Sequence, residues 1–205
     1  MRKFLFGLSA IALATAPAGA ALHEGAKAPD FTTTGAVGGK AFKLHLAEQL
    51  KSGPVVLYFF PKAFTKGCTL EAHAFSDAAK DFKKAGARVI GMSADDLPTL
   101  KRFSVEACRN AFPVATATPE VIEAYDVSLK QKPGLTDRTS YVIDRSGKIT
   151  FVHSDLDWSE HVAKTLAAVK ALTRYRLTRH ILNGESLGSF TGSSQFGTLP
   201  FASCA

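Results

Sequence analysis

The chain has 205 residues and 46% hydrophobic content, which allows one well-buried domain, whereas two independent cores would both be small. Its net charge of +7 falls to +3 over residues 21–172, because the remaining positive charge lies in the first twenty residues and in the tail from Thr173. There is no basic stripe interleaved with aromatic residues and no recognition motif, so nucleic-acid binding has little support.

The first twenty residues have the pattern of a secretory signal peptide. Arg2 and Lys3 form a short basic start, and residues 4–16 form an apolar run too short to span a bilayer. Ala18-Gly19-Ala20 then places small residues at a cleavage site. We expect cleavage before Ala21, export to the periplasm and no stable membrane association afterwards. The alternative is a retained membrane anchor or a buried N-terminal helix.

The first half of the mature region predicts, in order, an extended segment over residues 28–31, a hairpin turn at Gly38-Gly39, a strand over 55–60, a helix over 68–84 and a strand over 88–93. The first of these strands is continuously apolar, as expected when both faces of a sheet are covered, and Pro61 ends it. The helix has apolar residues at a 3.6-residue period, and Gly86 follows as a left-handed cap. Strand, helix and strand make a βαβ unit.

The second half predicts, in order, a helix over residues 95–109, a strand over 112–116, a helix capped by Thr118 and ending near Tyr125, hairpin strands over 139–143 and 148–153, and a helix over 157–172. A βαβ half followed by a ββα half is the order of a thioredoxin-like α/β fold, with a central mixed sheet flanked by helices. We expect a single domain over residues 21–172. Residues 173–205 are predicted to be a flexible tail, first basic and then rich in Gly and Ser.

The cysteines and histidines do not indicate a metal site or another cofactor. Cys68, Cys108 and Cys204 lie far apart and form no paired-cysteine zinc pattern. The six histidines are scattered and are interpreted as surface or satisfied core residues. Export would place the cysteines where disulfides persist.

Cys68 is the candidate nucleophile because it lies at the predicted start of a helix that follows a buried strand. Free backbone N–H groups and the helix dipole favour an anion there, and the thiolate is the reactive form of cysteine. Thr65 can bring its hydroxyl within reach of the same sulfur, and Pro61 stiffens the loop entrance and lacks an N–H. Taken alone, Cys68 could equally be a small core residue.

The spacing Pro61-x-x-x-Thr65-x-x-Cys68 after a hydrophobic strand resembles the active-site motif of the peroxiredoxins. The flanking residues are most similar to the Q-type, or bacterioferritin-comigratory, branch, and the similarity extends over residues 28–172. The resemblance implies that Arg138, ahead of a later strand, stabilises the thiolate and holds the peroxide. It also makes Glu71 a partner that orients Arg138, with a solvent-facing helix glutamate as the alternative.

The resemblance further implies a thiol-dependent peroxidase that reduces hydrogen peroxide and organic hydroperoxides through a sulfenic acid on Cys68. Many Q-type proteins carry the resolving cysteine five residues later, but here that position is His73, which we interpret as a surface residue. Cys108 on the second predicted helix is the better resolver, and a structural thiol is the alternative. Cys204 in the tail is a weaker candidate. The implied partners are peroxides and a thiol reductant, either a thioredoxin-like protein or a small thiol, with the chain a monomer or homodimer.

Two other functions compete with this one. An exported thioredoxin-like disulfide oxidoreductase needs Cys-x-x-Cys at the helix start, where Thr65 replaces the first cysteine, and a cis-proline near the place that Arg138 occupies. A non-enzymatic periplasmic binding module, such as a copper carrier with Cys-x-x-x-Cys, lacks its second sulfur at Ala72.

Overall fold

The computed structural model describes residues 21–182. The strands are β1 (Thr32–Val37), β2 (Lys40–His45), β3 (Val55–Phe59), β4 (Arg88–Ser93), β5 (Val114–Thr116), β6 (Thr139–Ile143) and β7 (Ile149–Ser154). The helices are α1 (Leu46–Ser52), α2 (Lys66–Lys84), α3 (Leu97–Glu106), α4 (Pro119–Ala124) and α5 (His161–Leu182). The predicted signal peptide, Cys204 and the rest of the tail from residue 183 lie outside the described residues. Within residues 21–182, no helix combines the length and apolar character needed to cross a membrane.

The strands form one mixed sheet in the order β2-β1-β5-β4-β3-β6-β7. Strands β3, β4 and β5 run parallel to one another, whereas β6 pairs antiparallel with β3 and β7 antiparallel with β6. The crossover from β3 to β4 is α2, so the predicted βαβ unit is confirmed. The sheet flanked by helices confirms the predicted thioredoxin-like architecture and its single domain.

Both faces of β3 are buried because helices cover both sides of the sheet. Val55, Leu57 and Phe59 point into one apolar cluster with residues of α1 and α4. Val56 and Tyr58 point into the other, with residues of α2, α3 and α5. The alternation of side chains along a strand therefore explains the unbroken apolar run. Cys68 and Cys108 both lie in the second cluster.

The sequence predicted most helix and strand ends to within a few residues of their positions in the structure. Asp96 and Thr118 cap α3 and α4 through their side chains, and Gly86 after α2 has a φ of 78°. Helix α2 begins at Lys66, two residues before the predicted start, and α3 ends at Glu106, three residues before the predicted end. Helix α1 was not predicted, because a seven-residue helix carries too few turns to show a clear period.

The closing helix differs most from the prediction. It continues to Leu182, so residues 173–182, predicted to begin the flexible tail, are helical. These ten residues contain neither Gly nor Pro, and the first helix breaker is Gly184. The Thr173 hydroxyl donates to the carbonyl oxygen of Ala85 at 3.0 Å, which attaches this part of α5 to the end of α2.

Candidate active site

The loop between β3 and α2 is held in place by a hydrogen bond to Asp95, which lies just after the end of β4. The N–H of Ala63 donates to Asp95 Oδ2 at 2.7 Å, and the hydroxyl of Ser93 donates to the same oxygen at 2.6 Å. Phe64, with a φ of 64°, occupies the left-handed region and packs edge-on against Phe103. Asp95 was not singled out from the sequence, because its partner lies 32 residues away.

Cys68 is the third residue of α2 and its side chain is almost fully buried. The first helical hydrogen bond runs from the N–H of Thr69 to the carbonyl oxygen of Thr65 at 2.9 Å. The N–H groups before Thr69 therefore point out of the helix end, where they favour an anionic sulfur. The predicted position of Cys68 in the first helical turn is confirmed.

Arg138 is 5% exposed and bonds three groups from different parts of the chain. Its Nη2 lies 3.5 Å from Cys68 Sγ, its Nη1 donates to Glu71 Oε2, and its Nε donates to the carbonyl oxygen of Leu156 at 2.9 Å. Such a planar fork of donors fixes the guanidinium in one orientation over the sulfur. The structure thus brings together Cys68 and Arg138, which lie 70 residues apart.

Gly67 makes room for this guanidinium. A Cβ at this position would lie 3.3 Å from Arg138 Nη2 and 3.7 Å from Trp158 Cδ1. The sequence offered no sign of this role, because the crowding comes from residues far along the chain.

Glu71 is fully buried and paired with Arg138, so the alternative of a solvent-facing helix glutamate is wrong. Burial raises the pKa of its carboxyl to about 8, although the charge and hydrogen bond of Arg138 act in the opposite direction.

Thr65 and Pro61 lie in the loop as predicted, but the Thr65 hydroxyl does not bond the sulfur. It is exposed and donates to the carbonyl oxygen of Lys62 at 3.0 Å. Pro61 is half-buried, two residues beyond the end of β3. Their roles toward peroxide stay predictions.

Cys108 lies in the turn after α3, two residues beyond the end of the helix on which it was predicted. It is fully buried, and burial raises the pKa of its thiol far above the usual range. The Ser76 hydroxyl donates to its carbonyl oxygen at 2.6 Å, and both cysteines are free thiols here. The next two residues, Arg109 and Asn110, have φ values of 50° and 60°.

A buried histidine that the sequence analysis did not single out lies beside Glu71. His161 Nδ1 is 2.8 Å from Ser140 Oγ, and its Nε2 is 2.9 Å from the carbonyl oxygen of Asp155. The general interpretation of histidines as surface or satisfied core residues describes it correctly. His73 is only partly exposed rather than a free surface residue.

A single cysteine at a helix start, bonded by a buried arginine on a thioredoxin-like fold, defines a thiol peroxidase rather than a Cys-x-x-Cys oxidoreductase. The residues directly before β6 are Asp137 and Arg138, where the oxidoreductase alternative would have a proline.

Comparison with known proteins identifies the family. The model of the AhpC/TSA family matches residues 25–152, and the chain belongs to that family. It is 33% identical over 152 residues to the chloroplastic peroxiredoxin Q of Oryza sativa subsp. japonica, covering 74% of this chain and 68% of that protein. It is 36% identical over 156 residues to the chloroplastic peroxiredoxin Q of Arabidopsis thaliana, covering 74% and 69%.

Solved structures agree with this assignment. The peroxidoxin BcpB of Mycobacterium tuberculosis superposes with a TM-score of 0.65 at 33% identity, covering 73% of this chain and 97% of that one. The reduced 2-Cys peroxiredoxin of Plasmodium vivax superposes with a TM-score of 0.68 at 20% identity, covering 76% and 99%, and shows a shared fold. The predicted resemblance to the Q-type branch is confirmed. The protein is a thiol-dependent peroxidase, its substrates are peroxides, and it needs a thiol reductant.

Proposed function

We propose that Cys68 is the peroxidatic cysteine and that Arg138 is the residue that binds both its thiolate and the peroxide. The observation that carries this proposal is the 3.5 Å contact between Arg138 Nη2 and Cys68 Sγ at the N-terminus of α2. Here a fixed positive group and free N–H groups converge on one sulfur, which stabilises the negative charge of the nucleophile and of the leaving oxygen.

The reaction begins when the Cys68 thiolate attacks the terminal oxygen of a hydroperoxide. An S–O bond forms as the O–O bond breaks, so the sulfur is oxidised to a sulfenic acid and the peroxide is reduced. The leaving alkoxide or hydroxide takes up a proton and departs as alcohol or water. Thr65 Oγ1 exchanges its bond to the Lys62 carbonyl for one to the bound peroxide, and Pro61 adds no N–H that would draw water into the loop.

Cys108 resolves the sulfenic acid in this proposal. Its sulfur attacks Cys68 Sγ, a disulfide forms and one water molecule leaves. In the reduced fold, Cys108 is buried and its pKa is raised, so it cannot act as a thiolate where it lies. The turn that carries it must first open, and the left-handed residues Arg109 and Asn110 mark this turn as the place where the chain departs from regular helix.

An external dithiol or two small thiols then reduce the disulfide and restore both cysteines. We place this cycle in the periplasm because residues 1–20 have the pattern of a signal peptide. The chain acts there as a monomer or homodimer.

The proposal is tested by adding one equivalent of peroxide to the mature protein and following its intact mass and free thiols. The wild type should lose two thiols and form a Cys68–Cys108 disulfide. Cys108→Ser should accumulate sulfenic or sulfinic acid on Cys68, and Cys68→Ser should be inactive.

Cys204→Ser serves as the matched control and should behave like the wild type. Turnover by Cys68→Ser at the wild-type rate would refute the central proposal. A disulfide in Cys108→Ser would instead assign resolution to Cys204 or to a second subunit.

A further inference from the structure

The peptide group between Lys62 and Ala63 is held at both of its ends. Its N–H, on Ala63, donates to Asp95 Oδ2 at 2.7 Å. Its carbonyl oxygen, on Lys62, accepts from the Thr65 hydroxyl at 3.0 Å and from the Thr65 N–H at 3.5 Å. One peptide group therefore connects Asp95 with Thr65, the loop residue that the proposed function places against the peroxide.

The side chain of Asp95 is itself fixed at the end of the sheet. It lies two residues beyond the end of β4, which pairs in parallel with both β3 and β5. The fully buried Ser93 donates its hydroxyl to Asp95 Oδ2 at 2.6 Å and accepts from the N–H of Asp95 at 3.3 Å. The Thr116 hydroxyl, at the end of β5, donates to the Asp95 carbonyl oxygen at 3.3 Å. The carboxyl group therefore presents a fixed acceptor to the loop.

The loop requires such a restraint from outside. Phe64, between Ala63 and Thr65, has a φ of 64°, in the left-handed region that bulky side chains rarely adopt. Its side chain is 39% exposed, so burial alone does not hold it in place. The bond from Ala63 to Asp95 fixes the backbone one residue before this strained position.

The orientation of Thr65 decides which donors remain at the start of α2. Thr65 is the N-cap residue, and a threonine there ordinarily accepts from the N–H of the second or third helical residue, here Gly67 or Cys68. Its side chain makes no such bond and donates to the Lys62 carbonyl instead. The N–H groups of Gly67 and Cys68 are therefore not engaged by Thr65 and stay available to an anion at the sulfur.

Asp95 also affects how strongly the Lys62 carbonyl holds the Thr65 hydroxyl. A hydrogen bond to the N–H of a peptide group polarises that group, which makes its carbonyl oxygen a better acceptor. Asp95 thus orients the Lys62 carbonyl and strengthens its bond to Thr65.

We propose that Asp95 is a positioning residue of the peroxidatic site. Through the peptide group between Lys62 and Ala63, it keeps the Thr65 hydroxyl beside the Lys62 carbonyl and away from the N–H groups at the start of α2. Asp95 touches no reacting atom. The inference deepens the proposed function and rests on it, because it requires that Cys68 reacts with peroxide and that Thr65 contacts the peroxide.

The test measures the second-order rate constant of Cys68 with hydrogen peroxide, in a Cys108→Ser/Cys204→Ser parent where Cys68 is the remaining thiol. Asp95→Ala should lower this rate constant by about tenfold, because the peptide group loses its anchor and the Thr65 hydroxyl turns to cap α2. Asp95→Asn keeps an oxygen acceptor at the same distance from the backbone. It should stay within about twofold of the parent.

Asp95→Glu separates positioning from charge. It keeps the carboxyl group but moves it by one methylene, so its rate constant should fall below that of Asp95→Asn. If the negative charge alone mattered, Asp95→Glu would be the faster variant, and that order would overturn the proposal. Both variants keep a polar side chain, so their order decides the question even if Asp95→Ala does not fold.

Asp96→Ala is the matched control. Asp96 is exposed, caps α3 by accepting from the N–H of Thr99 at 2.9 Å, and has no bond to the loop. Its loss should lower stability in urea unfolding but leave the rate constant of the parent unchanged. An equal loss of rate in Asp96→Ala and Asp95→Ala would overturn the proposal, because it would indicate a general loosening of α3.

A double-mutant cycle shows whether Asp95 acts through Thr65. In a Thr65→Val background, Asp95→Ala should have no further effect on the rate constant, and an undiminished tenfold loss there would overturn the proposal. Thr65→Val alone should be slower than the parent, and an unchanged rate would refute the part of Thr65 in the proposed function. A slow Thr65→Val beside an unchanged Asp95→Ala would overturn only the role of Asp95.

Discussion

At the scale of single residues, Arg138 connects the sulfur of Cys68 to the rest of the protein. It bonds Cys68, Glu71 and the Leu156 carbonyl at once, so its orientation is determined by three separate segments. A lysine has one point charge and no planar fork, and it cannot reproduce the three contacts together.

Arg138→Lys should therefore lower kcat/KM for peroxide by about 10²- to 10³-fold, the usual cost of losing one donor to a developing negative charge. Steady-state peroxide consumption measures the loss. Arg145→Lys is the control, because Arg145 is exposed and bonds the Lys51 carbonyl. A wild-type kcat/KM in Arg138→Lys would contradict the role given to the planar guanidinium of Arg138.

Gly67→Ala should lower the activity of the protein without lowering its stability. An added methyl should stabilise the helix by up to about 1 kcal/mol, yet it would lie 3.3 Å from Arg138 Nη2 and displace the guanidinium. We expect kcat/KM to fall by about tenfold with no loss of stability in urea unfolding. Full activity in this variant would show that the guanidinium tolerates the displacement.

At the scale of elements, the proposed resolution by Cys108 requires the turn after α3 to open during turnover. Cys108 is held there by its burial, by the bond from Ser76 on α2, and by the ion pair between Arg109 Nη1 and Asp77 Oδ1 at 2.8 Å. The ion pair is exposed and contributes little, whereas the Ser76 bond is partly buried. Helix α2 thus carries the proposed peroxidatic cysteine near its start, and from its middle it restrains the proposed resolving cysteine.

Ser76→Ala should accelerate disulfide formation after one equivalent of peroxide. Losing a hydrogen bond of about 1 kcal/mol raises the population of the open turn about fivefold. Free thiols counted at successive quench times measure the rate. Ser146→Ala, in the exposed turn between β6 and β7, is the control, and an equal acceleration in both variants would rule out a specific restraint.

At the scale of the whole molecule, buried titrating groups couple stability to pH. Burial lowers the pKa of His161 from an ordinary 6.5 to about 4. The unfolded chain therefore binds a proton at this residue before the folded chain does, and the contribution of His161 to stability falls as pH falls from 6.5 toward 4. Glu71 acts in the opposite sense between 4.5 and about 8, because its folded-state pKa is raised.

Urea unfolding in a Glu71→Gln background isolates the histidine. Between pH 6.5 and pH 4, the free energy of unfolding of the Glu71→Gln parent should fall by up to about 3 kcal/mol more than that of its His161→Gln derivative. His23→Gln, at an exposed histidine, should show the same loss as the parent. If the free energies of unfolding of the parent and the His161→Gln derivative change in parallel with pH, the pH-dependent contribution assigned to His161 is wrong.

The sequence by itself determined the features that depend on neighbours a few positions apart. The unbroken apolar run indicated that β3 is buried on both faces, Thr118 predicted the start of α4, and the 3.6-residue period of α2 placed Cys68 near its N-terminus. These features follow from local backbone geometry and side-chain periodicity, which hold wherever the segment lies in the fold. The assignment of Pro61, Thr65, Cys68 and Arg138 to one site came from family resemblance rather than from such local rules.

Only the tertiary structure decided which groups Cys68 and its arginine meet. A solvent-facing position was the alternative for Glu71, because helical period alone does not reveal that Arg138 and His161 cover its side of α2. The same packing buries His161 against Ser140, leaves Oε1 of Glu71 without a partner, and encloses Cys108 in the core. Contacts between segments tens of residues apart depend on how the helices lie on the sheet, and no local pattern in the sequence records that arrangement.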